Sequence, residues 1–176
     1  MLSKSARRSL GAAACLALAL AGQSALAGPG FIAKMWPHAS THAAPAENGL
    51  IRVQSAVGFD ETVVRIQQSV SAKGIRFFDD IDQSKLAAEA GIPLRPSHLL
   101  IFGNPPLGIK FLTSNPYAGI DWPVRMLVTQ DADGKVWIAY TDFEWIARRY
   151  AINDRGADFK MASEVAASIA ASATNP

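Results

Sequence analysis

The stretch VRMLVTQDADGKVWIAYT, residues 124–141, decides the architecture. Val124 to Thr129 and Val136 to Thr141 are rich in β-branched and aromatic residues, and Asp131-Ala132-Asp133-Gly134 between them supplies turn chemistry, so the segment reads as a β-hairpin. Downstream, Asp142 is placed to cap a helix reaching about Tyr150, and Phe159, Met161, Val165 and Ile169 give an apolar side to a last helix from about Ala157 to Ser172. Upstream, His98 to Phe102 is a nearly continuous apolar run that reads as a strand. Asn104-Pro105 and Asn115-Pro116 after it each pair a cap residue with proline at a first helical position. Further back, Ile75 to Ile81 reads as a strand, Asp82 opens a short helix ending at Gly91, and Ile92 to Pro96 is a proline-bounded loop. The domain begins near Leu50 with the alternation of Ile51, Val53 and Val57 against Arg52, Gln54 and Ala56. Asp60 is then expected to cap a helix carrying Phe59, Val63, Ile66 and Val70, which stops at Gly74. Strands and helices alternate until a hairpin and helices close the chain. The expected fold is an α+β two-layer sandwich, with a mixed sheet of about five strands and helices mainly on one face.

The rest of the chain concerns destination. Lys4, Arg7 and Arg8 precede the uncharged apolar run Leu10 to Leu20, and Ala25-Leu26-Ala27 puts small residues where a signal peptidase reads. Residues 1–27 are therefore expected to be a signal peptide, cleaved after Ala27, that sends the protein to the periplasm. Arg7-Arg8-Ser9-Leu10 weakly resembles a twin-arginine signal, so either export route stays open. Removing residues 1–27 takes away three bases and no acid, leaving 14 Lys+Arg against 15 Asp+Glu. The basicity of the whole chain thus belongs to the leader and gives no reason to expect nucleic acid as a partner. Cys15 is the single cysteine and lies inside the leader, so thiol catalysis, disulfides and cysteine metal sites are excluded from the mature chain. With 49% apolar residues the remainder can build an ordinary core, and no membrane association is expected after cleavage. Residues 28–49 hold Pro29, Pro37 and Pro45 and little periodicity, so they read as a flexible arm; His38 and His42 in it are read as incidental. Residues 50–176 form the single domain.

Within that domain, Gly91-Ile92-Pro93-Leu94-Arg95-Pro96 is followed by Leu100-Ile101-Phe102-Gly103-Asn104-Pro105, then Gly108, Asp121-Trp122-Pro123-Val124, Asp133-Gly134-Lys135-Val136-Trp137 and Tyr140-Thr141-Asp142. This series resembles the domain of unknown function 302 family, over roughly Leu50 to Tyr150. The resemblance implies a small α+β domain without an established activity, here as an exported single-domain member. Many relatives carry an Asp-His pair where this chain has Asp82-Gln83, and many carry a histidine near Arg149-Tyr150. The resemblance implies that any metal or proton-transfer chemistry of those histidines is lost or changed here, because Gln83 neither titrates nor ligates a transition metal well.

Asp82, Asn104 and Asp142 each end a strand and open a helix. A cap alone is worth about 1 kcal/mol and explains each of them singly. If the three strands run the same way, the three side chains share one rim of the sheet, where α/β sheets bind ligands. Tyr140, two residues before Asp142, would project toward that place. Gln83 can exchange hydrogen bonds beside Asp82, and Arg95, held between Pro93 and Pro96, can hold a carboxylate of a ligand or of an acidic neighbour. His98 would lie at the opposite end of its strand from Asn104, as a surface or hydrogen-bonded histidine. Trp122, Trp137 and Trp145 read as packing residues. Nucleotide, phosphate-loop, zinc-helix and nucleophile-elbow motifs are absent; the sequence names no cofactor, and no metal site is expected. Two readings follow. One is a binding domain for a small polar ligand or a periplasmic protein, without catalysis, with a homodimer left open. The other is an enzyme with Asp82 or Asp142 as general acid or base and Tyr140 and Asn104 orienting the substrate. Convergence of Asp82, Asn104, Tyr140 and Asp142 on one pocket separates them.

Overall fold

The structure, a computed structural model, describes residues 46–174. The expected signal peptide, most of the arm, Cys15, His38 and His42 lie outside the described residues. The elements in order are β1 (Leu50–Gln54), α1 (Phe59–Ala72), β2 (Arg76–Asp82), α2 (Gln83–Glu89), β3 (Ser97–Gly103), α3 (Pro105–Ser114), a 3-10 turn (Pro116–Ile120), β4 (Val124–Gln130), β5 (Val136–Thr141), α4 (Phe143–Arg149) and α5 (Gly156–Thr174). The α+β two-layer expectation holds, with helices against one face of a five-stranded sheet ordered β1-β5-β4-β3-β2.

Every neighbouring pair in that sheet is antiparallel, which corrects the expected mixed sheet. The reason is connection length. Helix α2 has seven residues, about 10 Å of helix, and cannot carry the chain back along a seven-residue strand of about 23 Å. It therefore turns the chain round at the edge where β2 ends. The 14-residue α1 does span the sheet, so β1 and β2, the two edge strands, run the same way.

Alternation along each strand divides the sheet into two faces. Leu100, Phe102, Met126, Val128, Val136, Ile138 and Tyr140 face the helices, where they meet Ile66 and Val70 of α1, Phe111 of α3, Phe143 and Ile146 of α4, and Phe159 and Ile169 of α5. The register places Ile81, Leu99, Leu127, Ala139 and Arg52 in a row across the opposite face, which carries no core helix and meets α2 at Ser97, where β3 starts. A bulge between Phe77 and Asp79 shifts β2 against β3, so that Asp80 and Asp82 fall on the helix side.

Two local readings are revised by the backbone. Helix α1 is capped at Gly58, whose carbonyl accepts from the Thr62 amide at 2.9 Å and its hydroxyl at 2.8 Å; Asp60 sits inside the first turn, where its charge suits the helix dipole. Val57 lies beyond the end of β1, because the chain turns at Ser55 to bond Val136 and Thr62.

Candidate functional site

The antiparallel sheet sends the predicted site residues to two edges. Strands β3 and β5 both run against β4, so Asn104 and Asp142 end up at one edge and Asp82, Gln83 and Arg95 at the other. Asp82, Asn104, Tyr140 and Asp142 do not meet in one pocket. Each of the three polar caps serves its own helix: Asp82 accepts from the Lys85 amide at 2.8 Å, Asn104 from the Leu107 amide at 3.4 Å, and Asp142 from the Glu144 and Trp145 amides at 3.3 and 3.0 Å. The Lys85 amide is also the main reason the Asp82 carboxyl titrates below its ordinary value.

Asp142 is buried, and its carboxylate lies 3.9 Å from Arg148. Asp142→Ala is expected to lower stability by about 0.5–2 kcal/mol, whereas Asp142→Asn keeps part of it, because its single amide oxygen can accept one of the two amides that the carboxylate oxygens take separately. Chemical denaturation of the two variants checks this. Tyr140 points into the core between Ile51 and Met126 rather than toward a rim. Burial, followed by the nearby Asp142 charge, pushes its hydroxyl up to about 12. The unfolded chain ionises this tyrosine near its ordinary value of 10.0, so its contribution to stability is whole below pH 10.0 and drains away as pH rises to about 12. Tyr140→Phe should remove roughly 2 kcal/mol of that alkaline loss, read as a flatter melting-temperature profile above pH 10.

The Asn104 edge is mostly apolar. A small cleft, open to solvent, lies between β3, α3 and α5, with Phe102, Leu107, Phe111, Trp122 and Val165 among its walls and Asn104 at its margin. Trp122 closes against Gly103 and Gly108. Beside it Asp121, with its side chain only 6% exposed, receives Arg125 at 2.8 Å, Arg149 at 3.0 Å and the Tyr150 hydroxyl at 2.7 Å. Burial and the bond to Asp121 raise the Tyr150 hydroxyl. Arg149 and Tyr150 thus hold a structural carboxylate. Sequence reasoning missed Asp121 as a hub, because its partners lie up to 29 residues away. Trp137 and Trp145 line neither edge's cleft: Trp137 donates to Asp131 at 2.8 Å beneath Arg52, and Trp145 packs on Gly49.

The other edge carries an array that spacing did not reveal. His98 Nδ1 donates to Asp80 Oδ1 at 2.8 Å, and its Nε2 lies 3.5 Å from Asp82 Oδ2. Gln67 of α1 donates to the second Asp80 oxygen at 3.1 Å, and Phe59 stands edge-on to the imidazole at 5.4 Å. All three members of the array keep some solvent access, with side chains 23%, 26% and 38% exposed for His98, Asp80 and Asp82. Gln83 is spent on Ser97, whose hydroxyl it accepts at 2.7 Å, and Ser84 bonds the Ser97 backbone, so α2 is pinned to the start of β3. Arg95 is exposed and has no ion-pair partner among the described residues; with Pro93, Leu94, Thr129 and Gln130 it borders an open depression. The geometry does not supply the acidic neighbour that was one of its two sequence readings. Among the described residues no group of three or more His, Cys, Asp or Glu side chains is arranged to hold a metal ion.

A model of the domain of unknown function DUF302 matches residues 51–174. The chain belongs to the DUF302 family. Its relatives include the fluoride-specific ion channel FluC 1 of Brucella suis biovar 1 (strain 1330), 35% identical over 106 residues, covering 60% of this chain and 42% of the channel protein. The fluoride-specific ion channel FluC 2 of Brucella melitensis biotype 1 is likewise 35% identical over 106 residues, with 60% and 39% covered. This chain therefore spans only about two fifths of these curated relatives. Among the described residues no helix is long and apolar enough to cross a membrane. The crystal structure of an uncharacterized conserved DUF302 protein from Bacillus stearothermophilus superposes with a TM-score of 0.65 at 17% identity, covering 71% of this chain and 98% of that one. At that identity the likeness establishes the DUF302 fold alone.

Proposed function

We propose that this DUF302 chain is an exported periplasmic binding domain, which holds a small polar ligand or a protein partner without catalysis at the edge formed by Asp80, Asp82, His98 and the Arg95 loop. The observation that carries this reading is the partly exposed Asp80–His98–Asp82 array on the same edge as an arginine lacking an acid partner among the described residues. Two carboxylates suit ammonium or hydroxyl donors on a ligand, and an unpaired guanidinium suits a carboxylate or another anion. The leader-like residues 1–27 support export, and the relatives' name supports a place beside the membrane, with fluoride among the anions worth testing.

The test begins with native mass spectrometry of protein recovered from the periplasm, followed by calorimetric titration with amino acids, small dicarboxylates, polyamines and fluoride. Arg95→Ala and Asp80→Asn should each weaken binding about tenfold, with melting temperatures close to the parent's. Binding indifferent to both substitutions overturns the site, and protein confined to the cytoplasm overturns the location. A second reading, an enzyme, is favoured by one observation: the imidazole–carboxylate contact of His98 is the arrangement a general base needs. Turnover of a polar substrate that disappears in His98→Gln would replace binding with catalysis.

A further inference from the structure

We propose that the uncovered face of the sheet is the contact between two copies of this chain, packed back to back about a two-fold axis parallel to the strands. The row Ile81, Leu99, Leu127 and Ala139 runs across four neighbouring strands, and Ile101 adjoins it on β3. No described helix lies over these side chains, of which Ala139 is buried among its neighbours and the others are half-buried, while the opposite face of the same strands carries the core. A continuous apolar row in the middle of a water-facing sheet is the pattern of a face that meets another sheet.

The charges identify the occupant. Arg52 lies on this face at one edge strand, β1, and Asp79 on the same face at the other, β2. Among the described residues Arg52 rests on the Trp137 ring at 4.6 Å and has no ion pair, and Asp79 accepts from the neighbouring Asp80 amide and forms no salt bridge. Within one copy they are separated by the width of the sheet and cannot meet. A two-fold axis along the strands lays β1 of each copy over β2 of the other, so both arginines come over both aspartates at once. A closed, self-complementary contact of this kind is the usual geometry of a homodimer. Five strands about 4.8 Å apart and five to seven residues long give a footprint of roughly 450 Å² per copy, or roughly 900 Å² in total. That is below the standard size of a specific interface and fits a weak, reversible dimer. The binding edge proposed above plays no part in this contact.

Sedimentation equilibrium of the purified chain across a range of micromolar concentrations tests the proposal. The parent should show a reversible monomer–dimer equilibrium. Leu127→Arg should raise the dissociation constant at least tenfold, with an unchanged far-ultraviolet circular dichroism spectrum, because the residue touches no helix. Arg52→Asp and Asp79→Arg should each weaken the dimer, and the double exchange should restore it. A parent that stays monomeric throughout overturns the proposal, whether the face is bare or covered by the chain's own residues 28–45. So does a dimer that is insensitive to Leu127→Arg and to both charge variants, since its contact must lie elsewhere.

Discussion

Phe111→Ala should lower the stability of the domain by about 3–5 kcal/mol, the range for truncating a fully packed aromatic. Phe111 is 3% exposed, stacks on Phe159 of α5 at 4.1 Å between ring centroids and lies tilted against Phe143 of α4 at 6.4 Å. One ring therefore joins three helices, and its loss also widens the cleft beneath Trp122. Collapse into the cavity is opposed because the end of α3 is tied to α4, where the Asn115 side-chain amide donates to the Tyr150 carbonyl at 2.9 Å. Denaturant unfolding of the variant measures the loss. A deficit below about 1 kcal/mol would mean that the three helices are secured by other contacts.

Gly108→Ala should also destabilise, by less than Phe111→Ala, although it adds one methyl group and improves helix propensity. A Cβ at position 108 would sit inside the indole of Trp122, striking Nε1 and Cε2 together. The indole has little room to retreat, since Gly103 is on its other side, where a Cβ would already be 3.2 Å from Nε1. Overpacking of this kind costs about 1–3 kcal/mol, and the propensity gain offsets at most about 1. Gly156→Ala is the control, because a Cβ there meets nothing within 4 Å. Tryptophan fluorescence should shift in Gly108→Ala and stay unchanged in Gly156→Ala.

How far these features were legible depended on distance along the chain. The hairpin at 124–141 was readable because its turn residues lie between its strands, and Gly134 takes the positive φ of 78° that such a turn demands. The caps Asp82, Asn104 and Asp142 were readable for the same local reason. Strand direction was not, because it depends on whether a connecting helix is long enough to cross the sheet. That one property separated Asp82 from Asn104 and Asp142 and removed the shared rim. The pairing of Asp80 with His98 lay further out of reach. The two residues are 18 apart, and without the bulge at Phe77/Asp79 the alternation of β2 would turn Asp80 to the uncovered face. Asp60 was misread as a cap because Gly58, two residues earlier, offers the same start signal and its carbonyl was the group Thr62 required.

The placement of Leu50 and Thr174 in the fold has a mechanical consequence. The domain is entered at Leu50, at one edge of the sheet, and left at Thr174, whose carbonyl is bonded by Ala56 just past the other end of β1. Tension between the ends is thus directed along β1, whose bonds to β5 stand perpendicular to that line. All five register positions share the load, instead of parting one after another as they would if the strand were peeled from one end. A domain strung between a tether and a partner would give way only at a force that breaks this ladder as a whole, so β1 serves as the clasp that resists pulling.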